Sequence, residues 1–276
     1  MAGRLFVVGT PIGNLSDFSP RAVETLEKVD FIAAEDTRVT VKLLNHFGIK
    51  KELVSYYEHN KSQRGDEIIA RIEAGESCAL VSDAGMPAIS DPGEELVRSA
   101  LDNGITVESV PGPAACVTAL SISGMKSGRF CFEGFLSVNR QERREHLSSL
   151  VREERTMIFY EAPHKLIHTL ADMKEAFGER NIAVIKELTK IHETVMRTTF
   201  SDAISFFENM PPKGEYVIIV EGAQRCEETQ EYTLSQAVEI ARKLMKNGNS
   251  ASTAAKEAAR LSGFRKGEIY SELMLG

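Results

Sequence analysis

The chain has 276 residues, 42% of them hydrophobic and 26% charged, with a formal net charge of −7. That length and apolar content supply a sizeable core and room for two domains, and the charge suits a soluble protein. The acidity argues against a large uniform basic face of the kind that marks many nucleic-acid binders, and no run of about 18 apolar residues is present for a membrane helix.

The first segment, LFVVG (Leu5–Gly9), reads as a strand, too close to the start for a signal sequence. Ser19 and Pro20 then form a cap and first-turn proline for the helix RAVETLEKV. DFIAA is a strand, VTVKLLNHFG a helix ending at Gly48, and ELVSYY a strand. DEIIARIEAG is a helix closed by Gly75, SCALVS a strand, GEELVRSALDNG a helix stopped by Gly104, and ITVESV a fifth strand. Short apolar runs alternating with helices predict a mostly parallel sheet covered on both faces. PGPAACVTALSISG reads as a helix and hinge. A second α/β unit follows, with strand candidates RFCFEGF, TMIFYE, NIAVIKEL and EYVIIVEG, and the helix PHKLIHTLADMKEAFG among them. After the polar linker AQRCEETQEY the pattern turns purely helical, with Leu234, Ala237, Val238, Ala241, Leu244 and Met245 on one face. Ala259, Gly263 and Ile269 have helix-turn-helix spacing; a plain helical cap or dimer contact is the competing reading. The expected organisation is 1–116, 117–226 and 232–276.

Loops at the carboxyl ends of parallel strands are where open α/β sheets bind ligands. Four informative stretches fall there. GTPIGNLSD follows the first strand without the Lys-Ser/Thr of a P-loop, which argues against a nucleotide hydrolase. EDTR (Glu35–Arg38) follows the second; its adjacent acids repel, and Arg38 can relieve them, or Asp36 can simply cap the next helix. SDAGMPAISDPG (Ser82–Gly93) follows the fourth and makes two turns before its helix, with Ser90 or Asp91 as the expected cap. That is more loop than a crossover needs, which suggests a wall of exposed backbone groups around a small ligand rather than a long structural turn. VPGPAA follows the fifth, where Ala114 and Ala115 leave space for a flat ligand. In the second unit, YEAPHK and IKELTKIHE end strands. Cys78, Cys116, Cys131 and Cys226 are far apart with no metal spacing. Reduced thiols, Cys78 and Cys131 buried, no metal and a cytoplasmic location are therefore expected.

Taken together and in order, VVGTPIGNLSD, EDTR, SDAGMPAISDPG, VPGPAA, FYEAPHK and KELTKIHE resemble the tetrapyrrole methylase family of S-adenosylmethionine-dependent enzymes. Within it they resemble the branch that methylates the ribose 2′-oxygen of a cytidine in small-subunit (16S) ribosomal RNA. The resemblance covers about residues 4 to 222 and extends to the helical tail. It implies two α/β domains with the cofactor in the cleft between them, a C-terminal helical domain, a homodimer, and ribosomal RNA or an assembled 30S subunit as substrate. It also implies cofactor contacts at Pro11, Ser82, Asp83, Ala84, Gly85, Ile89, Ala114, Ala115, Tyr160, Glu161 and Leu188. Ser82 and Ala84 stand where the family has Gly and Pro. Asp36 is the expected proton acceptor, with Arg38 positioning it or a phosphate, and Glu187 and Lys186 as second candidates. The family's lysine donor has no counterpart in SYYEHN. Arg140, Arg143, Arg144, Arg265 and Lys266 are expected RNA contacts. The competing functions are a small-molecule methylase of the same family and a non-catalytic RNA-binding protein.

Overall fold

The computed structural model describes residues 3–224 and 232–275; Cys226 lies outside them. The chain divides into two compact units, Met1–Ala223 and Gln224–Gly276.

The first unit contains two five-stranded sheets. The first comprises β1 (Arg4–Val8), β2 (Phe31–Ala34), β3 (Glu52–Ser55), β4 (Cys78–Val81) and β5 (Thr106–Val110), all parallel, in the order β3-β2-β4-β1-β5. Its crossovers carry α1 (Pro20–Lys28), α2 (Thr37–His46), α3 (Lys61–Glu73) and α4 (Glu94–Asp102). Both faces are covered, which is why the strands read as continuous apolar runs. Phe31, Ala33, Cys78 and Leu80 pack against Ile68, Ile72 and Leu96, while Ile32, Ala34, Ala79 and Val81 pack against Ala22, Leu26 and Leu44. Because β2, β4, β1 and β5 are neighbours, the four loops singled out in the sequence emerge side by side at one edge.

The second sheet comprises β6 (Phe130–Phe135), β7 (Thr156–Glu161), β8 (Asn181–Lys186), β9 (Thr194–Thr199) and β10 (Tyr216–Val220), in the order β6-β7-β10-β8-β9. Only β6 and β7 run parallel; the other pairings are antiparallel. One face packs on α5 (Ala115–Ser123) through Cys116, Ala119 and Leu120. The other is covered by residues of α6 (Arg140–Ser149), α7 (Leu166–Phe177) and α8 (Phe200–Asn209), among them Leu147, Leu170, Met173, Phe200 and Phe207.

Several local expectations are corrected. The edge strand β9 is hidden in TVMRTT, which has no fully buried residue to reveal it. Helix α6 occupies the stretch read only as a basic spot, capped by the Asn139 side chain. There the Arg143 guanidinium bridges to Asp172 at 2.6 Å, and Arg144 pairs with Glu175, so both charges are already committed. Helix α3 begins at Lys61, about a turn earlier than its apolar pattern suggests. Neither Ser90 nor Asp91 caps α4; the cap position is Gly93, at φ 147°, with no side-chain bond. Cys131 is only half-buried.

The second unit is a small helical body of α9 (Leu234–Lys246), α10 (Ala251–Ser262) and α11 (Lys266–Leu275). Ala237, Ala241, Ala254, Ala255 and Ala258 let the helices approach closely around Val238, Ile269 and Leu273. Thr233 and Gln236 form a capping box at the start of α9, and Gly263 ends α10 in the left-handed conformation. Met245, expected on the core face, is exposed. No helix among the described residues is long and apolar enough to cross a membrane.

Candidate active site

The loops after β1, β4 and β5 are stitched into one floor. Thr10 and Gly85 exchange backbone hydrogen bonds of 2.9 and 3.1 Å, and Gly9 N–H donates to Val110 O at 3.0 Å. The buried Thr10 hydroxyl donates to Ser82 O at 3.2 Å. Gly9 and Gly112 lie backbone to backbone: a Cβ on Gly112 would stand 2.8 Å from the Gly9 Cα. Only glycine permits this approach.

Above this floor lies a cavity of about 440 Å³, bounded by both sheets. Asp83, Ala84, Gly85 and Ile89 come from the loop after β4, and Ala114 and Ala115 from the start of α5. Tyr160 and Glu161 enter from β7, and Leu188 from the loop after β8. Pro11 and Ser82 are buried but do not line it; Ser82 sits beneath, its hydroxyl 3.4 Å from Gly85 O. The Glu161 carboxylate accepts from Ala162 N–H at 2.8 Å and the Thr169 hydroxyl at 2.6 Å. It thereby fixes the turn into α7. Residues that sequence reasoning missed include Ile12, Met86, Phe135 and Tyr216. Phe135 sits opposite Tyr160 in the β6–β7 register, with ring centroids 5.5 Å apart. Only strand pairing brings it there.

Two side chains hold the walls. The Tyr160 hydroxyl accepts from Cys116 N–H at 2.9 Å, supplying the side-chain cap that Ala114 cannot give α5. Tyr160→Phe therefore leaves one α5 amide without its acceptor, a loss of about 1 kcal/mol. The expected result is a thermal midpoint lower by about 2–4 °C, read by calorimetry. On the same sheet, after β8, Glu187 at φ 53° and Thr189 at φ 66° flank Leu188, both in a region that strains residues with a Cβ. The loop is held there by Glu187, which accepts from Glu215 N–H and from Lys190 Nζ at 3.0 Å each, while Lys190 also reaches Glu215 at 2.8 Å. Lys186 and Glu187 do not line the cavity.

The adjacent acids of EDTR are pushed in opposite directions. Asp36 caps α2, accepting Arg38 N–H at 2.8 Å and clasping its guanidinium at 2.5–3.1 Å. These bonds from Arg38 hold its pKa down at about 2. Glu35 lines the cavity instead, 3.5 Å from Asp83 N. Burial raises its pKa, with the nearby charges of Asp91 and Asp83 adding to the effect. Asp83 and Asp91 are also raised, burial being the first cause in each. Asp83 accepts Asp36 N–H at 3.1 Å, tying the two loops together. Among the described residues no group of His, Cys, Asp and Glu is arranged to hold a metal.

Residues 4–204 match the family model for tetrapyrrole (corrin/porphyrin) methylases. A Synechocystis protein named ribosomal RNA small subunit methyltransferase I is 46% identical, covering 97% of this chain and 96% of its own. A Thermotoga maritima protein of the same name is 46% identical over 80% of this chain and 100% of its own. Among solved structures, a uroporphyrin-III C-methyl transferase from Thermus thermophilus, complexed with S-adenyl homocysteine, superposes with a TM-score of 0.57 at 15% identity, covering 79% of this chain and 97% of that one. The matched motifs, the two sheets and the cavity at their edge agree: this chain belongs to the tetrapyrrole methylase family.

Proposed function

We propose that this protein uses S-adenosylmethionine to methylate the ribose 2′-oxygen of a cytidine in 16S ribosomal RNA, as a cytoplasmic homodimer acting on the RNA or the 30S subunit. The observation that carries this reading is 46% identity over 97% of the chain to a ribosomal RNA small subunit methyltransferase I. The division into 1–116, 117–226 and 232–276 belongs to the same proposal, the first two segments contributing facing walls of the cavity.

The residues present fit the methyl donor. The cavity volume lies in the range of small-molecule sites, its alanine and leucine walls suit a nucleoside, and Glu35, Asp83 and Asp91 suit a cationic centre. When bound, S-adenosylmethionine supplies an electrophilic methyl group on a positively charged sulfur. The chain aligns that group with the incoming hydroxyl and excludes water, which in favourable geometries is worth roughly 7–11 kcal/mol of barrier. The hydroxyl proton would pass to a carboxylate as the C–O bond forms and the methyl–sulfur bond breaks, with neutral S-adenosylhomocysteine as the leaving group. Of the two EDTR acids, Glu35 is the better acceptor, since it lines the cavity and holds a proton more readily than Asp36. Asp36 and Arg38 then serve as the clasp that fixes the loop carrying Glu35, and Lys186 and Glu187 as support for Leu188.

The reading is tested by incubating the protein with labelled donor and either 30S subunits lacking the modification or a porphyrinoid. Label on one cytidine ribose supports it. Label on the porphyrinoid favours the small-molecule methylase, and no label on either favours the RNA-binding protein.

The C-terminal helices add RNA affinity rather than chemistry in this proposal. Arg265 and Lys266 are exposed at the start of α11, where phosphate contacts would act. The Thermotoga relative is matched end to end by 80% of this chain, leaving a fifth without counterpart. A chain ending at Tyr232 is expected to lose roughly tenfold in kcat/KM for 30S subunits at low salt, a deficit that shrinks as salt rises, with donor affinity unchanged.

A further inference from the structure

The donor cavity opens beside a second, outer groove of about 590 Å³. The two share Glu35, Ser90 and Asp91, so a molecule seated in the groove touches the same wall as the methyl donor. The groove's other sides are the turn after β3, with Tyr57, Glu58, His59 and Lys61, and the start of α4, with Glu94, Glu95 and Arg98.

Its charge selects the occupant. Lys61 is held by Glu58 at 2.7 Å and Glu95 at 2.6 Å, and Arg98 by Glu94 at 2.6 Å. Both cations are thereby neutralised, and Asp91 remains as an acceptor on the shared wall beside Glu35, the acceptor for the ribose hydroxyl. A phosphate, or a macrocycle bearing several carboxylates, meets repulsion here. An uncharged ring with amine donors meets an acceptor. Cytosine carries such a donor in its exocyclic amine, which carboxylates recognise, whereas uracil presents a carbonyl oxygen at that position. An aromatic face is also in place. Tyr57 is 40% exposed, with the His59 ring edge-on at 6.2 Å. Its turn is braced by Asn60, which accepts Tyr57 N–H at 2.8 Å and donates to Ser55 O at 3.0 Å.

Resting on the ribosomal RNA reading above, we propose that this outer groove receives the base of the acceptor nucleotide, stacked on Tyr57 and selected as an amine-bearing base, while the flanking phosphates stay outside. Seating the base there brings its ribose to the wall that carries Glu35. The base must be splayed from its neighbours to enter, as in single-stranded RNA recognition.

The test is methyl transfer to 30S subunits lacking the modification, with donor affinity measured separately by titration with S-adenosylhomocysteine. Tyr57→Ala is expected to lower kcat/KM for the subunit by roughly tenfold or more, the size of losing one base–aromatic stack. Tyr57→Phe, which keeps the ring, retains activity, and donor affinity is the same in both variants. Once the labelled cytidine is mapped, subunits reconstituted with uridine there are expected to react far more slowly. Label from the wild type with undiminished Tyr57→Ala activity, or equal rates on cytidine and uridine, overturns the groove assignment alone. No label from the wild type overturns the ribosomal RNA reading and the groove with it.

Discussion

Glu35→Gln slows methyl transfer in single turnovers by roughly 10²–10⁴, the usual worth of a positioned base, while S-adenosylhomocysteine binds as before. The side chain keeps its shape and loses only its capacity to take a proton. The pH profile carries the second half of this expectation. Burial and the charges of Asp91 and Asp83 raise the Glu35 pKa above its ordinary 4.5. The base works ionised, so the wild-type rate climbs with pH through that raised value, and the variant loses this limb. Asp36→Asn behaves differently. The Asp36 pKa is depressed from 3.8 to about 2, so its ionised form stabilises the fold above 3.8, and that contribution is lost as pH falls toward 2. The variant is therefore less stable at neutral pH, and its deficit against the wild type shrinks in acid. Thermal melts across this range, beside single-turnover rates, separate the two acids. If Asp36→Asn abolishes transfer while Glu35→Gln retains it, the roles are reversed.

Gly112→Ala is expected to destabilise the protein by about 1–3 kcal/mol through overpacking and to cripple donor binding. The new Cβ would stand 2.8 Å from the Cα, C and O of Gly9. These are backbone atoms, so no side chain can swing aside. The loops after β1 and β5 must part, taking Ala114, Ala115 and the Thr10–Gly85 bridge with them. Gly128→Ala is the control, because a Cβ there meets nothing within 4 Å. Urea unfolding and ligand titration measure both effects. A Gly112→Ala protein matching the control in both would show that the close approach is not required.

The parallel sheet was legible because strands buried on both faces leave short, uninterrupted apolar runs such as CALV. Its loops were legible because glycine and proline mark chain reversals that other residues resist. Strand β9 was not, since an edge strand carrying Arg197 lacks a fully buried face. The candidate site divides the same way. Ala114, Ala115 and Asp83 were found from local motifs, whereas Phe135 reaches the cavity only through its pairing with Tyr160 across strands far apart in sequence. EDTR shows a subtler limit. Charge and spacing mark both acids as candidates, but which one Arg38 clasps depends on where α2 begins. The helix starts at Thr37, so Asp36 becomes its cap and Glu35 is left on the cavity wall.

The reciprocal bonds between Thr10 and Gly85 belong to no strand of either sheet, yet they give two loop amides the partners that strand amides have. Such amides exchange with solvent only when the structure holding them opens. The Thr10 and Gly85 amides are therefore expected to exchange as slowly as those of the neighbouring strands, a result that hydrogen exchange would read directly. A donor arriving at this floor meets backbone that is already ordered and surrenders little chain entropy to it, so more of the contact energy remains for holding the methyl group in line.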